Sequence, residues 1–297
     1  MSSFTVEERD ITLQSGVIIS TRIHKPTLPI SNEYCIIGFN AGFNNKYLWD
    51  ITGAIFANAG VAFIAHDIRG AGNSIPLPKK NSGSEQFTFD QYAEDAAEVI
   101  HILNFSKAIA WGTAWGSRAA LVYAATQEKN CIGAILGDFS VGNSLDKEWP
   151  ALQKMSHVLA QEKVQRLNLY EDNYIDEKKC HVHKWTLGSR LAMHATSKGI
   201  YKDAAKFSAM ALKRSYNFPI AIYTGEFDPN LVANPGGSME AYNTLKEMSN
   251  DVALIVPEAC GHNMLQDRPK YVSEIALDFC LDRIFKQSLN LIGAASL

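Results

Sequence analysis

Gly112-Thr113-Ala114-Trp115-Gly116 sets two glycines four residues apart, between an apolar run at 108–111 and an Ala- and Leu-rich stretch at 117–125. The run reads as a strand buried on both faces, and the stretch as a helix able to lie close on a sheet. A strand, a sharp turn and a helix at this spacing make the nucleophile elbow. It lifts one side chain, the middle of the five, above the sheet for attack on an acyl carbon. The flanking glycines suit a turn where a Cβ would collide with neighbouring backbone. The middle residue here is Ala114, whose methyl group cannot attack a carbonyl. Ser117 lies past the turn, where its hydroxyl is expected to bond helix backbone, and Thr113 should point away from the site.

Gly-Thr-Ala-Trp-Gly-Ser followed by Arg-Ala-Ala-Leu-Val-Tyr-Ala resembles the elbow of the α/β-hydrolase superfamily. Its wording is closest to the proline-iminopeptidase-like branch, where Gly-x-Ser-Trp-Gly-Ser is usual. Two readings of Ala114 stay open. A native Ser was replaced by Ala to trap a ligand, or the natural protein has lost the chemistry. The intact surroundings favour the first.

The resemblance implies the rest of the machinery. Gly225-Glu226-Phe227-Asp228 follows the β-branched run at 219–223 and matches the family's acid-bearing loop, which makes Asp228 the expected triad acid. Asp138, at the end of an earlier strand, is the runner-up, because some superfamily members take the acid from there. Cys260-Gly261-His262 follows the last strand and matches the catalytic histidine loop. The order 114, 228, 262 is nucleophile, acid, base. Asn40-Ala41 occupies the family's His-Gly position, and Trp49 follows nine residues later. The N–H groups of Gly42 and Trp115 are therefore the expected oxyanion hole, with Asn40 and Phe43 lining the substrate pocket. His66-Asp67-Ile68-Arg69-Gly70-Ala71-Gly72-Asn73-Ser74 carries the signature Asp-x-Arg-Gly-x-Gly-x-Ser, in which Asp67 and Arg69 are expected to pair and pin a loop.

These positions need a scaffold, and the patterning supplies one. Residues 4–13 and 17–24 alternate around Gln14-Ser15-Gly16, as an edge hairpin does. Strands are expected at 34–39, 61–65, 108–111, 131–136, 219–223 and 251–256. Helices are expected at 47–59, 87–103, 117–125, 238–248 and 271–285. This alternation predicts an α/β fold, a mostly parallel eight-stranded sheet with helices on both faces. Residues 1–140 and 216–297 would form the core domain. Residues 141–215 hold no comparable strand but several helical stretches (149–167, 184–197 and 203–213). They read as an inserted helical cap over the elbow, closing an apolar chamber.

Composition excludes other classes. The 297 residues are 46% apolar and 20% charged, with net charge −3 and pI near 6.2. No basic footprint for nucleic acid is present, and no apolar run reaches the ~18 residues of a membrane span. The opening residues show no secretory pattern, and Cys35, Cys131, Cys180, Cys260 and Cys280 are scattered. A reducing cytoplasm is the expected setting. Cys180-His181-Val182-His183 lacks a converging carboxylate, so no metal site is read there. The function expected is hydrolysis of a small acyl substrate (ester, thioester, lactone or amide) through a Ser-Asp-His triad and an acyl-enzyme, without cofactor, here in an inactive form. Alternatives are a non-catalytic ligand-binding protein, or a cofactor-free lyase or dioxygenase using His262 as base. Sequence leaves substrate identity and oligomeric state open.

Overall fold

The computed structural model describes residues 3–41, 44–76, 86–140, 149–171, 179, 211–232 and 236–286. The strands are β1 (Phe4–Thr12), β2 (Ile18–Pro26), β3 (Tyr34–Phe39), β4 (Ala62–His66), β5 (Lys107–Thr113), β6 (Cys131–Gly137), β7 (Ile220–Tyr223) and β8 (Val252–Ile255). They form one eight-stranded sheet in the order β1-β2-β4-β3-β5-β6-β7-β8. β1 and β2 pair antiparallel, β2 meets β4 antiparallel, and every later pairing is parallel. The chain steps from β3 to β4 on one side and to β5 on the other. That reversal opens a crevice beyond the carboxyl ends of β3 and β5, where ligands bind in open α/β sheets.

The longer helices among the described residues are α1 (Asp50–Asn58), α2 (Phe89–Ile102), α3 (Trp115–Thr126), α4 (Trp149–Leu167), α5 (Ser238–Met248) and α6 (Pro269–Phe279). Side chains of the central strands alternate between two cores, as the period of two requires. Cys35, Ile37 and Phe39 of β3 join the core under α2, α3 and α5. Tyr34 and Ile36 join the opposite core under α1 and α6, where Trp49, Phe56, Phe63 and Trp111 pack their rings together. α2 opens on Thr88, whose hydroxyl accepts from the Gln91 N–H at 3.2 Å. That satisfies one of the N–H groups a helix start leaves unpaired.

The Asp67–Arg69 pair expected from the signature does not form. Arg69 reaches α2 and donates twice to Asp95, at 2.7 and 2.6 Å. Asp67 instead accepts from the backbone N–H of Lys46 (2.7 Å) and of Asn73 (2.8 Å), with the buried Lys46 ammonium 3.7 Å away. A carboxylate ringed by N–H donors needs no guanidinium, so the arginine is free to tie the loop to a separate helix. Of the expected cap, α4 is helical as read. The stretches at 184–197 and most of 203–213 lie outside the described residues. Cys35, Cys131, Cys260 and Cys280 are free and buried. No helix among the described residues is long and apolar enough to cross a membrane.

Two buried histidines make the fold acid-sensitive. His24 is 1% exposed and His66 1%. Burial lowers the pKa of each to about 4; for His24, attraction to Asp50 opposes this only in part. Both are neutral in the folded chain, while the unfolded chain binds a proton near pH 6.5. Their contribution is therefore complete above pH 6.5 and is lost as pH falls toward 4, at about 3 kcal/mol each. Urea midpoints measured between pH 7 and 4 should fall steeply across that window, and His66→Phe should flatten the fall. A midpoint constant from pH 6.5 to 4.5 would contradict this.

Candidate active site

The elbow forms at the carboxyl end of β5. A Cβ on Gly112 would lie 2.2 Å from the carbonyl oxygen of Gly116, and one on Gly116 would lie 2.1 Å from that of Phe39. β5, α3 and the exit of β3 thus touch backbone to backbone. Ala114, between the glycines, has φ 48° and ψ −114°. Only glycine enters this region without cost. For alanine the strain is of order 1–3 kcal/mol, held in place by the Ala114 N–H bonding the Gly137 carbonyl at 2.8 Å. The methyl is partly accessible, while the turn beneath it is buried. Ala114→Gly should therefore stabilise the chain, by about 1 kcal/mol after the extra flexibility of glycine is deducted. A thermal melt that moved downward would contradict the strain.

Each candidate partner leaves the carboxyl end of its own strand. Asp138 follows β6, Asp228 follows β7, and His262 follows β8. His262 Nδ1 lies 3.1 Å from Asp228 Oδ1. The same carboxylate accepts from the Asn230 N–H at 2.9 Å and the Thr224 hydroxyl at 3.1 Å. These donors fix its orientation before the imidazole arrives. Thr113 is turned toward Asp138, donating to its Oδ2 at 2.9 Å. A small cavity lined by Ala41, Asn44, Leu48, Thr113, Asn263, Leu265 and Gln266 joins the neighbours of positions 114 and 262. Ser117 donates to the Ala114 carbonyl and so serves the turn.

Other positions fall differently. Asn40, expected to line the pocket, is 3% exposed and lies beneath the loop. Its carboxamide donates to the His66 carbonyl at 2.7 Å and accepts from the Trp49 indole at 2.6 Å. It ties the exit of β3 to β4 and to the turn Lys46–Trp49. Trp115 begins α3, where backbone N–H groups have no intrahelical acceptor. Gly42 and Phe43 lie outside the described residues.

Helix α4 braces the histidine loop, which no sequence signal announced. Ser156 Oγ accepts from the His262 N–H at 3.2 Å. The next residue, His157, bonds Asp267, whose other oxygen accepts from the Gly261 N–H at 2.7 Å. Lys163 meets Glu226 at 2.8 Å and Glu258 at 3.0 Å, and Glu226 accepts from the Ala259 N–H at 3.0 Å.

Electrostatics follow from this crowding of carboxylates. Burial alone would depress the His262 pKa. The charge and hydrogen bond of Asp228 oppose it, aided by Asp138 and Asp267, and raise the value to about 9. Burial pushes Asp138 well above the usual carboxylate range. His262 and the Thr113 hydroxyl pull the other way, and the Asp228 charge adds to the rise. One ligand atom from each of Asp138, Asp228 and His262 lies within 4.8 Å of the others. A metal ion at these atoms would have to displace the proton that His262 shares with Asp228.

Comparison with known proteins agrees with the fold. No curated protein sequence matches the chain. Among solved structures, the chain resembles the ligand-free epoxide hydrolase CorEH, at 16% identity and TM-score 0.65, covering 93% of this chain and 99% of that one. A putative α/β-hydrolase from Nostoc sp PCC 7120 is also similar, at 16% identity and TM-score 0.66, with 94% and 99% covered. So is a thermophilic esterase from Thermogutta terrifontis with malate bound, at 16% and 0.63, with 92% and 97% covered. At such identities the likeness is one of fold. The family model described as serine aminopeptidase, S33, matches residues 48–269, most of the 297-residue chain. With the sheet order and the strained elbow, that match places the chain in the serine aminopeptidase S33 family of α/β-hydrolases.

Proposed function

We propose that this is the site of a serine hydrolase for small acyl substrates, lacking only its nucleophilic oxygen. The observation that carries the reading is Ala114 held at φ 48° and ψ −114°, beside a buried His262–Asp228 pair. A backbone strain of that kind has a use when the side chain must be presented to a substrate. With Ser at 114, its Oγ would form a bond to the acyl carbon while the His262 imidazole takes the hydroxyl proton. His262 would pass that proton to the leaving group as the carbon–oxygen, –sulfur or –nitrogen bond breaks. Water, deprotonated by the same ring, would then release the acid and free the serine. The Trp115 N–H, with that of Gly42, would stabilise the anionic oxygen formed on the way. Residues 141–215 would form the cap over this chamber, with α4 as its anchor on the histidine loop. In its Ala form the protein would hold a substrate uncleaved.

A base with a pKa of about 9 gives the reading a pH signature. Only neutral imidazole accepts a proton, so at pH 7 about one molecule in a hundred is competent. For Ala114→Ser, kcat/KM should rise about tenfold per pH unit from 6 to 8 and level off near 9. The test is a panel of activated short-chain esters, thioesters, lactones and prolyl amides, assayed at pH 7 and 9 on both forms. Activity of the Ser form on none of them, with the fold intact, would favour a non-catalytic binding protein. Turnover by the Ala form at an enzymatic rate would favour His262 acting as a lone base, as in a lyase or dioxygenase.

A further inference from the structure

Asp138 is the group in the site that the proposed chemistry leaves unused. It sits at the end of β6 with φ 52°, a left-handed conformation costly for a residue with a side chain. It is 1% exposed, and its Oδ1 has no hydrogen-bond partner among the described residues. A buried carboxyl oxygen without a hydrogen-bond partner is expensive and calls for an explanation. The other oxygen is held by the Thr113 hydroxyl at 2.9 Å, which fixes the carboxyl group against rotation. A ligand atom of His262 and one of Asp228 lie within 4.8 Å of it. Asn230 touches all three residues. Its N–H bonds Asp228 Oδ1 at 2.9 Å, and its Nδ2 lies 3.4 Å from both the Asp138 carbonyl and His262 Nδ1.

We propose that Asp138 is a second carboxylate partner of His262, so that the imidazole shifts between Asp228 and Asp138 with Asn230 as the pivot between them. Asp138 is then a positioning residue, acting through His262. A ring turned from Asp228 toward Asp138 would give the unpartnered Oδ1 a donor while the Asn230 carboxamide follows. Burial, with the Asp228 charge close by, holds the Asp138 carboxyl well above the usual carboxylate range, and the charge of His262 acts the other way. Among the described residues, Asp267 also acts on both Asp138 and His262, and is itself bonded to His157 of α4 and to the Gly261 N–H. The site would thus have two settings for its base, each with a different carboxylate behind the ring.

The inference deepens the hydrolase reading and rests on it for its kinetic arm, but a second arm is independent of activity. In the Ala114 protein labelled at histidine, the His262 titration is followed by NMR. Asp138→Asn should lower the midpoint by more than one pH unit although the Asp228 contact remains. Asp228→Asn should leave it at or above the ordinary value near 6.5, and only the double variant should fall below that. Thr113→Val keeps the carboxyl group and removes its donor. It should lower the His262 midpoint more modestly, and it serves if Asp138→Asn does not fold. In the Ala114→Ser background, Asp228→Asn should cost at most ~10²-fold in kcat and the double variant ~10⁴-fold, the loss typical of a triad acid removed outright. A His262 midpoint unmoved by Asp138→Asn and Thr113→Val would overturn the proposal. So would an Asp228→Asn midpoint as low as that of the double variant. If Ala114→Ser proves inactive, the hydrolase reading fails and the NMR result still decides the role of Asp138.

Discussion

Ala114→Ser should raise kcat on a cleavable acyl substrate by about 10⁶-fold, because losing the nucleophile of a triad costs roughly that much. The gain is expected at full size since little else has to change. The backbone at 114 already has the elbow conformation, φ 48° and ψ −114°, with its N–H tied to Gly137. Adding one oxygen to a partly accessible methyl does not disturb the glycines beneath it. In the proposed site the His262 ring is held at two points, with Nδ1 3.1 Å from Asp228 and the His262 N–H bonded to Ser156. The rate should be compared at pH 9, where the imidazole is about half neutral, as well as at pH 7. Binding should change far less than turnover, because the substitution adds one oxygen and alters no other side chain. A rise of less than tenfold on every substrate class, with unchanged secondary structure, would mean the site is not arranged for acyl transfer.

The second large effect is structural. Gly116→Ala should abolish stable folding, or lower stability by more than about 4 kcal/mol, beyond the usual range for a point change. The new Cβ would lie 2.1 Å from the Phe39 oxygen and 2.6 Å from that of Asn40. Both are backbone atoms at the exit of β3, so no side chain can swing aside. β3 and α3 would have to part by about an ångström in a core packed at crystal density. Gly16→Ala is the comparison: Gly16 has positive φ, +79°, and nothing within 4 Å of an added Cβ, so it carries a backbone penalty without a clash, whereas Gly116 carries the clash. Gly16→Ala should cost only about 1 kcal/mol, the backbone penalty alone. Equal urea midpoints for the two variants would show that the close approach at Gly116 is not what holds the elbow.

Much of this arrangement was legible because it is local. Glycine spacing points to the elbow at 112–116, and the resemblance to the α/β-hydrolases names Asp228 and His262, with Asp138 as runner-up, before any contact is known. Hydrophobic alternation and helix periodicity give the sheet and its covering helices, because burial on one face or two leaves a pattern of period two or 3.6. What sequence could not give was pairing at a distance. Arg69 lies two residues from Asp67 yet bonds Asp95 on another element. Ser156 sits on α4 with nothing to mark it, and supports His262 across 106 residues. Asn40 reads as a loop residue beside a pocket, yet its carboxamide fits the gap between the His66 carbonyl and the Trp49 indole. Such contacts depend on how elements pack, and a single chain of letters records only the residue types.

The most direct test of the central claim uses a serine-directed phosphonate and intact-protein mass. Such a probe forms a bond only to a hydroxyl oxygen activated by a base and an oxyanion hole, and it needs no knowledge of the substrate. The account predicts one adduct on Ala114→Ser, mapped by peptide sequencing to position 114. It also predicts a rate rising with pH toward 9 and no adduct on the Ala form. Labelling of neither form, with both folded, or labelling of the Ala form at another residue, would contradict it.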